Sequence, residues 1–218
     1  MMYPDLALPV KTERPFFYAN FVQTVDGKVA ATNVSRDYWP IGSEEDYDTL
    51  VCLRAHADVL VHGSNTARTS RTIDRLGAAE FLKIRNSLGK TQDLLYVVVS
   101  EHPDAELREL LNNPPPGTKV KLVSGRNLRT LSEELYKEGF VQVLVEGGPH
   151  LFASFVAERL VDELFVTIAP KLFSGGAGMT LTMSEGLLLL PGNMPKLELL
   201  SMKQYGEEAF LRYRITYP

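Results

Sequence analysis

Short aliphatic runs alternate along this chain with amphipathic stretches, and breaks rich in Gly, Pro, Asn and Asp separate them. Residues 16–25 predict a first strand, entered after Pro15 and ended by the turn Asp26-Gly27. Residues 29–39 read as a loop or short strand. Ser43 is a suitable N-cap, and Glu44, Glu45 and Asp46 follow it in the first turn of a helix that runs to residue 57. A second strand is predicted over residues 58–62 and is closed by Gly63. The polar stretch 64–77 carries Arg68, Arg71 and Arg75. A helix is predicted over 78–88, a buried strand over 94–99, and a further helix capped by Asp104 and reaching Leu111. Asn112-Asn113-Pro114-Pro115-Pro116-Gly117 reads as a surface connector that cannot be helical.

The second half repeats the alternation. A strand over 120–123 precedes a helix over 131–138, which Gly139 closes. A strand over 141–145 leads through Gly147 and Gly148 to Pro149, and a helix continues over 151–159. A strand over 163–169 is followed by a glycine-rich turn at 173–178. Residues 197–205 and 210–217 form a hairpin around Gly206-Glu207-Glu208. This order predicts an α/β fold: a mixed, mostly parallel sheet flanked by helices, with a C-terminal antiparallel hairpin. No repeat or linker interrupts it, so residues 1–218 are expected to form a single domain.

Composition narrows the function. A hydrophobic fraction of 44% suits a globular core, while a net charge of −4 and a pI near 5.6 argue against general nucleic-acid binding. The first fourteen residues mix Pro4, Asp5, Lys11, Glu13 and Arg14, with no apolar run of signal-peptide length. The run Leu187 to Leu190 is too short to span a bilayer. A cytoplasmic protein with no membrane partner is the expectation. Cys52, the only cysteine, lies in apolar Leu50-Val51-Cys52-Leu53 and reads as a buried, inert thiol. His56, His62, His102 and His150 show no metal-binding spacing, so no metal site is expected.

The segment Val141-Gln142-Val143-Leu144-Val145-Glu146-Gly147-Gly148-Pro149-His150 carries the strongest chemical signal. A buried strand that turns through two glycines into a helix N-terminus aims backbone N–H groups at the positive end of the helix dipole. That geometry suits a pyrophosphate or similar anion, although an ordinary strand-to-helix turn satisfies the same pattern. Glu146 sits at the carboxyl end of the strand, where open α/β sheets bind their ligands. Ser100 and, further on, Ser124 and Arg126 follow other strands. An arginine at such a place can pair with an anionic group, and is more often a solvated surface residue.

Several segments in order resemble one family. They are Gln23-Thr24-Val25-Asp26-Gly27-Lys28-Val29-Ala30, Leu53-Arg54-Ala55-His56-Ala57-Asp58 and Val61-His62-Gly63-Ser64-Asn65-Thr66. Glu146-Gly147-Gly148-Pro149-His150-Leu151, Leu160-Val161-Asp162-Glu163-Leu164 and Ile168-Ala169-Pro170-Lys171-Leu172-Phe173 complete the set. Together they resemble the pyrimidine reductase of riboflavin biosynthesis, the RibD C-terminal domain, a branch of the dihydrofolate-reductase-like fold. The resemblance covers residues 14–217. It implies NADPH as cofactor and hydride transfer to the ribosyl C1′ of a phosphoribosylamino-pyrimidine, giving a ribitylamino product. It is nearer to stand-alone reductases than to the fused enzyme with a deaminase domain, and it implies a homodimer.

The resemblance also assigns residues. Gly147, Gly148, Pro149, His150, Leu151 and Phe152 match the cofactor-phosphate turn, and Gly63 and Thr66 a second cofactor turn. Thr24, Trp39 and Ser100 join them as cofactor candidates. On the substrate side it implies Asn20, Arg54, Arg71, Arg75 and Glu146, with Arg75 taking the phosphate through its guanidinium fork. Asn20 stands where bacterial members carry Lys and archaeal and fungal members Asn, which favours the diaminopyrimidine as substrate. Asp26 reads as a turn residue, and no general acid is identified. Hydride transfer needs mainly positioning.

Two departures keep other readings open. Ala67-Arg68-Thr69-Ser70 is two residues shorter than the family's loop, and Gln23 is bulkier than the residue usual there. They leave room for an NADPH reductase of a pterin or another small heterocycle, or for a nucleotide-binding protein without turnover.

Overall fold

The computed structural model describes residues 2–3, 5–31, 41–125, 127–176 and 178–218; the candidates Trp39 and Arg126 lie outside them. The chain runs through β1 (Phe16–Thr24), β2 (Lys28–Ala31), α1 (Glu44–His56), β3 (Val59–Gly63) and α2 (Ser64–Ser70). It continues through α3 (Ala79–Ser87), β4 (Leu94–Val99), α4 (Ala105–Leu111), β5 (Thr118–Val123), α5 (Leu128–Lys137), β6 (Gln142–Gly147) and α6 (Pro149–Ala157). It ends with β7 (Val161–Ala169), β8 (Thr180–Thr182), β9 (Lys196–Tyr205) and β10 (Glu208–Thr216).

Eight strands form one sheet in the order β5-β4-β3-β6-β1-β7-β10-β9. The first six in that order are parallel, and the C-terminal hairpin adds β10 and β9 antiparallel at one edge. β1 lies in the interior of the sheet, paired with β6 and β7. Alternation along a strand sends its side chains to two cores. Phe17, Ala19 and Phe21 of β1 meet Leu131 and Leu135 of α5 and Phe155 of α6 on one face. Phe16 and Tyr18 meet Leu53 of α1, Phe81 of α3 and Leu107 of α4 on the other. β3, β4 and β6 are covered on both faces, which explains their unbroken apolar runs.

Local signals set most boundaries. The side chains of Ser43 and Asp104 cap α1 and α4, accepting from the N–H groups of Asp46 and Leu107. The structure departs from the pattern in four places. The polar stretch after Gly63 is helical, forming α2 and a 3-10 turn over Thr72–Arg75. α5 starts earlier than residue 131, because Asn127 caps it by accepting from the N–H of Thr130 at 3.0 Å. β7 starts at Val161, and β8 pairs with β2 in a separate two-stranded sheet. Among the described residues, no helix is long and apolar enough to cross a membrane.

Candidate functional site

Two turns meet where β3 and β6 end side by side. Gly63 ends β3 and opens α2, and Gly148 opens α6 with Pro149 in its first turn. Neither residue has a side chain to cap its helix. Gly148 adopts φ +70° and ψ 152°, a region essentially reserved for glycine. A Cβ at Gly63 would lie 3.5 Å from the carbonyl oxygen of Gly147, and a Cβ at Gly148 would lie 3.1 Å from Thr66 Oγ1. A side chain at Gly148 would press on the Thr66 hydroxyl, whereas one at Gly63 would meet the facing turn at ordinary contact distance. The first turn of α6 leaves the N–H groups of His150 and Leu151 without intrahelical acceptors. The Thr66 hydroxyl, nearly buried, makes no hydrogen bond among the described residues. Open N–H groups, a glycine cradle and a spare hydroxyl are a donor set that fits the pyrophosphate of a dinucleotide.

The other cofactor candidates take varied positions. Ser100 follows β4 directly, and its N–H donates to Val123 O at 2.9 Å. It therefore shares the carboxyl edge of the sheet with Gly63 and Gly147. Phe152 gives its ring to the core, edge-on to Phe21 with centroids 4.9 Å apart. Its N–H bonds to Gly148 O. Thr24 is fully buried, and its hydroxyl serves the following turn by donating to Asp26 Oδ1 at 2.6 Å and accepting from Lys28 N–H at 3.0 Å. The Asp26 carboxylate also accepts from the N–H groups of Phe173 and Ser174, and these bonds, led by that from Thr24, hold its pKa low. It is an anchor for the loop after β7.

On the α1 face of the sheet, Arg54 and Glu146 form a buried bidentate pair. Arg54 Nε donates to Glu146 Oε1 at 2.8 Å and Nη2 to Oε2 at 2.6 Å. His62 Nε2 lies 2.9 Å from the same Oε2, and His62 Nδ1 lies 3.0 Å from the Tyr96 hydroxyl. Arg54 Nη2 also donates to Thr72 Oγ1 at 3.1 Å, which ties the pair to the 3-10 turn. The β3–β6 register places His62 opposite Gly147 and passes over Glu146. Such a shift re-aims a side chain, here Glu146 toward Arg54 and His62. Burial alone would raise the pKa of Glu146. The Arg54 charge, followed by the hydrogen bond from His62, overcomes it and holds the carboxyl at about 2.

The arginine-bearing stretch touches this pair through Thr72. Arg68 pairs with Asp104 at 2.7 Å, and Arg71, at φ +45°, pairs with Asp74 at 2.6 Å. Arg75 is exposed and forms no ion pair among the described residues. Asn20, half-buried on β1, points to the same face as Tyr18, whose hydroxyl donates to Leu53 O. The structure thus brings Asn20, Arg54 and Glu146 to one side of the sheet, with Arg71 and Arg75 on the turn that Thr72 links to Arg54.

Sequence reasoning missed His62, Tyr96 and Thr72. A histidine within the apolar run Val59-Leu60-Val61-His62 was the available signal. It also missed Asp46, whose carboxyl is pushed up to about 6 by burial, against the Thr167 hydroxyl and with help from the charge of Glu208. Cys52 is buried, and burial pushes its thiol up to about 11. Among the described residues, no group of three or more His, Cys, Asp or Glu is placed to hold a metal.

The sheet order, the flanking helices and the closing hairpin define a dihydrofolate-reductase-like α/β fold. A pyrimidine reductase-like protein from Corynebacterium diphtheriae superposes with a TM-score of 0.65 at 20% identity, covering 92% of each chain. Dihydrofolate reductase from Enterococcus faecalis superposes with a TM-score of 0.51 at 13% identity, covering 92% of this chain and 96% of that one. Residues 15–211 match the RibD C-terminal domain, and the chain belongs to that family. The 2,5-diamino-6-ribosylamino-4(3H)-pyrimidinone 5′-phosphate reductase of Methanothermobacter thermautotrophicus is 28% identical over 222 residues, covering 93% of this chain and 99% of its own length.

Proposed function

We propose that this protein is an NADPH-dependent reductase of riboflavin biosynthesis that converts the ribosyl group of a 5-phosphoribosylamino-pyrimidine to ribityl. We read residues 1–218 as one reductase domain. The observation that carries the proposal is the adjacency of two differently built sites. A glycine cradle with open N–H groups lies at the ends of β3 and β6, and Glu146, one residue before that cradle, faces Arg54 on the α1 side. The nicotinamide supplies the hydride when bound. Gly63, Thr66 and the Gly147–Gly148 turn would hold the pyrophosphate, with Ser100 near by. Trp39 belongs to the family's cofactor set, and Thr24, fully buried and bonded to Asp26 and Lys28, acts there only by shaping its turn.

On the substrate side, Glu146 accepts an N–H of the pyrimidine, and Arg54 holds that carboxylate in place. Asn20 lies on the same face and favours the diamino form, the compound in the name of the methanogen relative. Arg75, unpaired among the described residues, is available to the 5′-phosphate, with Arg71 beside it. Ordering both reactants in one cleft supplies most of what direct hydride transfer requires.

A homodimer is part of this reading. β9 is exposed along most of its length, and Leu197, Leu199, Met202 and Tyr205 present apolar surface there. A second copy covering that edge would bury it.

The test is loss of NADPH absorbance on adding the diamino or the deaminated phosphoribosylamino-pyrimidine to the purified protein. Faster turnover of the diamino compound supports the full proposal. NADPH binding without turnover of either compound overturns the substrate and keeps the cofactor.

A further inference from the structure

The environment of Glu146 fixes more than its charge. A carboxylate offers about four acceptor positions, two on each oxygen. Oε2 receives Arg54 Nη2 at 2.6 Å and His62 at 2.9 Å, so both of its positions are occupied. Among the described residues, Oε1 receives only Arg54 Nε, at 2.8 Å. Among the described residues one acceptor position is left, and it lies on Oε1. The Glu146 side chain keeps 6% of its surface exposed.

The direction of the His62 bond follows from the charge of Glu146, and Tyr96 holds the other side of the ring. The buried Tyr96 phenol keeps its proton, because burial raises its pKa well above the ordinary tyrosine range. Its hydrogen-bond partner among the described residues is His62 Nδ1, at 3.0 Å. The ionised Glu146 carboxylate can only accept, so His62 Nε2 carries the proton of that bond, while Nδ1 is held by the Tyr96 hydroxyl. His62 itself is 1% exposed, so this chain of bonds is built into the core. The register shift between β3 and β6 makes it possible, since it leaves Glu146 outside the strand pairing and turned toward His62.

We infer that His62 is a positioning residue that closes Oε2 of Glu146 and leaves the carboxylate a single acceptor, on Oε1, for one N–H of the substrate heterocycle. The inference rests on the proposal that Glu146 touches the substrate. Without His62, Glu146 keeps its bidentate arginine but has a second open position on Oε2. It then presents two acceptors where one donor is to be ordered, and it accepts water or a misplaced amino group.

The experiment compares His62→Leu, His62→Gln and Glu146→Gln. Steady-state kinetics with 2,5-diamino-6-ribosylamino-4(3H)-pyrimidinone 5′-phosphate, NADPH titration by fluorescence, and thermal unfolding are measured for each. The glutamine amide at position 62 reaches far enough to donate to Oε2, whereas leucine removes the donor. The expected result is a KM for the pyrimidine raised roughly tenfold in His62→Leu, largely recovered in His62→Gln, with NADPH affinity changed by less than about twofold in both. If His62→Leu does not fold, His62→Asn takes its place, because its shorter amide reaches toward Tyr96 but not Glu146. A pyrimidine KM that rises in Glu146→Gln but not in the His62 variants overturns the inference alone. So does a His62→Gln variant no better than His62→Leu. A pyrimidine KM unchanged in Glu146→Gln overturns the assignment of Glu146 to the substrate, and the inference with it.

Discussion

The hydroxyl of Thr66 stands 3.1 Å from the position that a Cβ at Gly148 would occupy, so the turns after β3 and β6 meet at a hydroxyl and a glycine. Gly148→Ala brings in that Cβ and must also hold φ +70°. The expected cost is about 1–3 kcal/mol of stability, read from urea unfolding. NADPH binding is expected to weaken further, because the Cβ enters the cradle. A variant with full stability and full affinity contradicts the placement of the pyrophosphate.

Arg54→Met leaves the Glu146 carboxylate buried without its cation. Breaking such a pair from one side is expected to cost about 3–5 kcal/mol. The double variant Arg54→Met with Glu146→Leu is expected to lose less, since no charge remains in the core. A urea double-mutant cycle reads the difference, and additive losses would mean that the pair is not coupled.

The same carboxylate gives an acid signature. The pKa of Glu146 is lowered from 4.5 to about 2 on folding, so its contribution is fully present above pH 4.5 and is lost as the pH falls toward 2. The stability advantage of the natural protein over Glu146→Gln is expected to be constant near neutral pH and to shrink across that window. An advantage unchanged down to pH 2 would show that the carboxylate is not held as described.

Asp46 has the opposite sign. Its pKa rises from 3.8 to about 6 on folding, so the folded state holds the proton more tightly and loses stability as the pH climbs through that interval. Asp46→Asn is expected to raise the thermal midpoint near pH 8 and to match the natural protein below pH 3.8. Equal midpoints at both ends would mean that the carboxyl is solvated.

Arg75→Gln removes an exposed group, and stability is expected to stay within about 0.5 kcal/mol. The KM for the phosphorylated pyrimidine is expected to rise at least tenfold, by the loss of roughly 1.5–3 kcal/mol of charge-assisted hydrogen bonding. The dephosphorylated compound should be insensitive to the change. An equal effect on both compounds would place the phosphate elsewhere.

Strong local signals made most of the fold legible. Leu94–Val99 is a six-residue apolar run with no competing helical period, and Ser43 and Asp104 are good caps, so β4, α1 and α4 follow directly. α2 was not legible, because Ser-Asn-Thr-Ala-Arg-Thr-Ser is short, polar and without an apolar face; packing of Ala67 into the core settles it. β8 is three residues long and exists through its pairing with β2. In the site, the Gly-Gly turn into α6 was legible because its geometry is set by adjacent residues. The Arg54–Glu146–His62–Tyr96 network was not, since its members come from α1, β6, β3 and β4. Only the strand order and the shifted register bring them together.

The place of β1 in the sheet has a consequence for synthesis. Residues 16–24 are made well before their partners, residues 142–145 and 161–169. β3, β4 and β5 lie between these in sequence and pair with one another in parallel. They can assemble with α3 and α4 while β1 still lacks a neighbour. Insertion of β1 between β6 and β7 therefore waits for residues made more than a hundred positions later, and it completes the face that carries Asn20 and Glu146. Until β6 has been made, the nascent chain carries an unpaired Phe-Phe-Tyr segment, which exposes apolar surface to wrong partners.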